Sequence, residues 1–275
     1  YQNGSSATGI NIPVRVTRNF YADFGTYFLT DAYDGKEPQK IPASGDTGDF
    51  PAVTSGFGMV HYEEETSNKG EIGPFFFGSS FVDERRQAYS FEMPGFLDGT
   101  GIYVQMAAAF QVSISGNVVI TPPSGITGQI TVPATSLSSY VYNGLNWVGK
   151  DFPASSPDGL YSVVFDASSL PYINFGALDY FTVTYERDNT FSGGQQRMAY
   201  SRLSQGSRIQ IPTNIQDMMV WDVSDPYNIR SFEVSDCSGE LSADAVVPYL
   251  KEVFSPAAYS VASGNPASIV AFDPD

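Results

Sequence analysis

Apolar and polar residues alternate with a period of two along much of this chain. The clearest case is LDYFTVTYER (178–187), where Phe181, Val183 and Tyr185 alternate with Thr182, Thr184 and Glu186. That period places successive side chains on opposite faces of a strand, so the first set is expected on a core and the second in water. Similar runs occur at GIYVQM and FQVSIS (101–115), NVVI (117–120), GQITVP (128–133), GLYSVVFD (159–166), SRIQIP (207–212), MMVWDVS (218–224) and IRSFEV (229–234). Gly, Pro, Ser or Asn-Gly punctuates each one. One segment has helical potential, SADAVVPYLKEVF (242–254), and Pro248 interrupts it.

Many short strands without intervening helices predict an all-β fold, an antiparallel β-sandwich of jelly-roll-like form followed by a smaller β subdomain. Turn residues accumulate at 34–51 and 191–196. They divide the chain into an N-terminal β segment (1–70), a sandwich (71–195) and a C-terminal β subdomain (196–275). In VWDVSDPYNIRSFEV (220–234), alternation predicts that Trp221 and Val223 share a buried face while Asp222 and Ser224 meet water. Asp225 and Pro226 supply the turn between two strands. The alternative is a cation bound by Asp222 and Asp225 beside Asp217.

Composition narrows the classes of function. The 275 residues carry 30 Asp and Glu against 14 Lys and Arg, a formal charge of -16, which repels nucleic acid and anionic lipid surfaces. No apolar run approaches the ~18 residues of a membrane span. One cysteine, Cys237, allows no internal disulfide, and a single histidine, His61, rules out a Cys/His zinc module.

Any catalytic triad or Cys-His dyad must use His61. It sits in MVHYEEE, where a half-buried strand histidine is expected rather than a general base. Cys237 follows Asp236 and precedes Glu240, and nearby carboxylates oppose thiolate formation. Gly56 and Gly58 lack the third glycine and the βαβ setting of a dinucleotide site. Asp31 and Asp34 lack the spacing of a calcium loop. Tyr140, Tyr142 and Trp147 suit either a core or a sugar-stacking platform. The expectation is therefore no catalytic, cofactor-binding or metal-ligating residue, and no enzyme activity in this chain.

The order of several phrases resembles a family. HYEEETSNKGEIGPFFFGSSF (61–81), with its aromatic turn Phe77-Gly78-Ser79-Ser80-Phe81, is followed by LDYFTVTYERD (178–188), QQRMAY (195–200), VWDVSDPYNIRSFEV and IVAFD (269–273), and preceded by TYFLTD (26–31). This series resembles the region before the catalytic domain in gingipain-like cysteine peptidases, especially the cell-surface sortase of the type IX secretion system. Ser79 departs from it, standing where the family has Glu. The resemblance implies a non-catalytic N-terminal region, exported to the bacterial cell surface or outer membrane. Its implied partners are a downstream peptidase domain of the same polypeptide, secreted cargo proteins and outer-membrane secretion components. The parent's implied substrate is cargo whose C-terminal sorting domain is cleaved and whose new end is joined to surface lipopolysaccharide. The family's Cys and His belong to a caspase-like domain outside these residues, and His61 and Cys237 inherit no role. The alternative is a glycan-binding or adhesin-like surface β-sandwich, and a carboxylate-based β-sandwich hydrolase ranks third.

Overall fold

The structure, a computed structural model, describes residues 51–66, 76–121, 127–134, 145–153, 160–200, 207–223, 230–237, 249–255 and 267–273. Among these there are strands and no helix. The chain forms β1 (Ala52–Val53), β2 (Ser55–Glu63), β3 (Arg86–Glu92), β4 (Gly101–Val112), β5 (Gly116–Thr121), β6 (Gly128–Val132), β7 (Leu145–Pro153) and β8 (Leu160–Asp166). The long β9 (Ile173–Asp188) is followed by β10 (Gln195–Tyr200), β11 (Ser207–Thr213), β12 (Met219–Asp222), β13 (Arg230–Phe232), β14 (Ser235–Asp236), β15 (Tyr249–Ser255) and β16 (Ala267–Phe272).

Two compact units result: Met59–Glu186 forms the first, and residues 51–58 join Arg187–Asp275 in the second. The units change within strands, between Gly58 and Met59 of β2 and between Glu186 and Arg187 of β9. Turn residues mark where the chain reverses, and here the units change where it runs straight.

The first unit is a sandwich. One sheet has the order β2-β9-β4-β7 and the other β3-β8-β5-β6, with antiparallel pairing of β4 to β7 and β9, β3 to β8, and β5 to β6 and β8. Ile102, Val104 and Met106 of β4, Phe181, Val183 and Tyr185 of β9, Val118 and Ile120 of β5, and Tyr161, Val163 and Phe165 of β8 meet in one core. Its centre is aromatic. Phe181 lies 5.1 Å from both Tyr62 and Tyr89 and 5.5 Å from Phe165, ring centre to ring centre, within the range of favourable ring contacts.

The inward trio of β9 is as the alternation requires, with Phe181 1%, Val183 0% and Tyr185 2% exposed. Its other face is not wet. Thr182 and Thr184 are 1% and 3% exposed, because β9 is an inner strand whose threonines stand opposite Gln105 and Tyr103 of β4, with His61 of β2 hydrogen-bonded to Thr182. Short side chains between longer lateral neighbours lose water without any apolar pattern to announce it.

Two irregularities keep β9 in phase. Its register against β4 shifts between Ala107 and Ala108 and between Gln111 and Val112, leaving Asp179 and Asn174 as the extra residues of β-bulges. The bulge at Asp179 explains how Leu178 and Phe181, three apart, both join the core.

The second unit pairs β1 with β11 in parallel and β11 with β15 antiparallel, with β14 beyond β15. Its other sheet has the order β2-β10-β16-β12-β13. Met198, Tyr200, Ile209, Ile211, Val220, Phe232, Val253 and Ile269 form its core. Gly56 of β2 is required by that core: a Cβ there would stand 2.7 Å from the Tyr200 ring.

Two sequence expectations are corrected here. Tyr249–Ser255, the end of the segment with helical potential, is strand β15. Lys251 and Val253 are buried, a period of two set by pairing with β11. In β12 the phase is inverted: Trp221 is 40% exposed and Asp222 5%. Met218 and Val220, at 6% and 1%, occupy the inner positions and thereby fix Asp222 on the same face. Asp225, Pro226 and the rest of that turn lie outside the described residues.

Candidate functional site

His61 stands on the face of β2 opposite Val60 and Tyr62, which pack on the core of the first unit. Its Nδ1 lies 3.2 Å from Thr182 Oγ1, its Nε2 lies 3.2 Å from Glu63 Oε2, and its ring is tilted against Tyr180 at 5.2 Å. Hydroxyl, imidazole and carboxylate are the components of a nucleophilic triad. Thr182, however, is buried, 1% exposed. The imidazole instead ties β2 to β9, the half-buried setting expected of a strand histidine.

Beside this tie, Asp179 occupies the β-bulge. Burial first, then the negative charges of Glu63 and Glu65, pushes its carboxyl up to about 6. Three carboxyls converge in one electrostatic neighbourhood, yet among the described residues no group of three or more His, Cys, Asp or Glu is placed to hold a metal ion. Sequence reasoning missed Asp179. The available signal was the three-residue step from Leu178 to Phe181, which an unbroken alternation cannot place on one face.

The aromatic turn of the family resemblance is built against the same sheet. Gly78 N–H donates to Leu178 O at 2.8 Å, Leu178 N–H to Ser79 O at 3.0 Å and Phe81 N–H to Gly176 O at 2.7 Å. Phe77 then packs on Ala109 and Ala177. Gly78 lies so close to Glu64 that a Cβ would stand 2.8 Å from the Glu64 Cβ. The Ser79 hydroxyl donates to Glu64 Oε2 at 3.4 Å. A glutamate at 79 would set a second carboxylate beside Glu64. Burial first, and then Glu64, raises the Tyr62 phenol well above its ordinary range.

Cys237 belongs to the second unit, His61 to the first, and each is described with its own neighbours. Cys237 lies 3.5 Å from Gln210 Nε2 and 3.7 Å from Glu252 Oε2, with Arg208 3.7 Å from the same carboxylate. Tyr140, Tyr142, Asp31 and Asp34 lie outside the described residues, as does the side chain of Trp147.

The second unit also holds a buried polar knot. Asn189 is 0% exposed; its amide donates to Val53 O at 2.9 Å and Gln210 O at 3.0 Å, and its Oδ1 accepts from Tyr200 Oη at 3.1 Å. Arg187 donates to Asp188 O and Thr190 O. Every bond joins backbone or side chains of this unit, which is what a structural fastening needs.

These features define an all-β protein of two β-sandwich units. No family model and no curated protein matches the chain. Among solved structures it is similar to dimeric latent PorU from Porphyromonas gingivalis, at a TM-score of 0.68 and 13% sequence identity, over 86% of this chain and 22% of that one. The shared property is the fold, and the chain spans about a fifth of that protein's length. It also aligns with the GH26-CBM35 β-(1,4)-mannanase of Podospora anserina at a TM-score of 0.29 and 13% identity, covering 46% of this chain and 27% of that one. A likeness that loose carries no argument.

Proposed function

We propose that this chain is the non-catalytic N-terminal β region of a gingipain-like cysteine peptidase of the type IX sortase kind. It positions the peptidase domain of the same polypeptide or contacts secreted cargo at the bacterial surface. The observation that carries this reading is the likeness to latent PorU over 86% of the chain. The ordered phrases from the aromatic turn at 77–81 to IVAFD at 269–273 support it independently. The surroundings of His61 and Cys237 fit a chain without a catalytic centre of its own, since the one buries its hydroxyl partner and the other faces a carboxylate.

The gene itself tests the proposal. The reading frame beyond Asp275 should continue into an α/β domain with one Cys and one His in gingipain-like settings. A stop codon or an unrelated domain there sinks it. In the parent protein, Phe181→Asp should abolish maturation of sorting-domain cargo although the catalytic Cys is untouched, whereas unimpaired maturation in a folded variant lacking residues 51–273 removes any positioning role.

A further inference from the structure

One end of the first unit carries a second kind of surface. Tyr172 is 56% and Ile114 59% exposed, on two loops that are fastened together. The Ser169 hydroxyl donates to Asn117 O, and Gly116 approaches Leu170 so closely that a Cβ would lie 2.6 Å from Leu170 Cδ2. Strand pairing continues the contact, with Val112 opposite Ile173. Next to Tyr172, the bulge turns Asn174 outward, where its Nδ2 donates to Gln111 Oε1 at 2.7 Å. A second amide pair, Asn117 Nδ2 to Gln129 Oε1 at 3.2 Å, lies on the other side of the 113–116 loop. In a chain that is 16% charged, residues 111–121, 127–134 and 167–178 contain no Asp, Glu, Lys or Arg.

We infer that this loop end, built from residues 111–117 and 167–174, is a binding site for a neutral glycan, with Tyr172 as the stacking ring and Asn174 as the orienting amide. The chemistry matches part for part. A pyranose offers an apolar face of C–H groups to an aromatic ring, and adjacent hydroxyls that both donate and accept. Side-chain amides both donate and accept as well, and the hydrogen bond to Gln111 engages one donor of Asn174. The loop stretches 111–117 and 167–174 carry no charged side chain of their own with which an ionic ligand could pair. The bond between Ser169 and Asn117 joins the loops, and the bond to Gln111 holds the amide before any ligand arrives, which lowers the ordering cost of binding. Bulges characteristically re-aim a side chain in this way.

The site was not legible in the sequence, where the aromatics that suit either a core or a platform, Tyr140, Tyr142 and Trp147, lie elsewhere in the chain. It also stands apart from the proposed function, because it concerns binding by this chain whatever domain follows.

Isothermal titration of the full chain with cellohexaose, maltohexaose and mannohexaose tests it. At least one should bind with a Kd between ~10 μM and ~1 mM, unchanged when NaCl rises from ~0.05 to ~0.5 M, since no ion pair is involved. Tyr172→Ala and Asn174→Ala should each weaken binding about tenfold, equivalent to ~1.4 kcal/mol, with an unchanged thermal midpoint because both side chains are exposed. Tyr172→Phe should retain it. Absence of heat with all three sugars, binding that survives both alanine variants, or binding abolished by salt overturns the inference.

Discussion

The two units solve the same problem with different interiors. The first fills its sandwich with interlocking rings, Phe181 touching Tyr62, Tyr89, Phe91 and Phe165. The second uses mostly aliphatic side chains and admits Arg187, Asn189, Asp222 and Lys251 to buried positions. Burial of rings needs only volume and shape, whereas burial of amides and charges needs every partner in place. The first interior should therefore respond to lost volume and the second to lost partners.

The largest effect is expected at the ring cluster. Phe181→Ala should lower the unfolding free energy of the first unit by ~3–5 kcal/mol, seen as a fall in the urea midpoint, and a loss below ~1 kcal/mol would show that the cluster is not a close-packed core.

Asn189→Ala, which removes little volume, should cost ~2–4 kcal/mol by stranding Val53 O, Gln210 O and the Tyr200 hydroxyl. Asn189→Asp should be worse, since a carboxylate has no hydrogen to offer those carbonyls. If both variants melt like the parent, the second interior does not depend on its polar fastening.

A smaller, pH-dependent effect belongs to Asp179. Its folded value of about 6 exceeds the ~3.9 of an unfolded Asp, so between these values the folded state holds a proton that the unfolded state has released. Stability is then present in full below pH ~4 and declines as pH rises through ~6. The carboxyl keeps some contact with water, which limits the decline to ~1–2 kcal/mol. Asp179→Asn should flatten that part of the pH–stability curve and raise the midpoint at pH 8; an unaltered curve would mean that the bulge is better solvated than its neighbours imply.

The smallest effect separates the two phases of β12. Trp221→Ala should cost about 1 kcal/mol, against ~3–5 kcal/mol if the indole were a core residue. In a Trp147→Phe background, quenching of Trp221 fluorescence by iodide gives the same answer.

Much of the architecture can be read from single strands. β5, β6, β8 and β11 coincide with runs bounded by turn residues, and the inward trio of β9 follows from alternation alone. What escapes is whatever depends on a neighbour distant in sequence. Thr182 is dry because of strands on either side of it, and its hydrogen-bond partner His61 is 121 positions away. Trp221 misleads because the larger ring suggests the inside, while Met218 and Val220 hold it. Asp179 and Asn174 gain their character from bulges, which exist only in the pairing of β9 with β4. The candidate glycan site shares that origin, since neither Tyr172 nor Asn174 belongs to a recognisable motif.

The parallel pairing of Ala52 and Val53 with Arg208 and Ile209 carries a consequence for how the chain is made. The two halves of one ladder are synthesised on the order of 150 residues apart, and closing so long a flexible loop costs about 4 kcal/mol by the logarithmic dependence on loop length. Met59–Glu186 lies within that interval and forms its own sandwich from contacts available as soon as β9 emerges. Once it has folded, most of the intervening chain is no longer a flexible tether, and β1 can wait near its partner instead of searching for it. On the ribosome the first unit thus acts as a spacer that shortens the effective distance between the separated parts of the second. A mutation that slows folding of the first unit should prolong the time during which β1 and β11 present unpaired edges, and aggregation of the nascent chain should then begin in the unit that was never mutated.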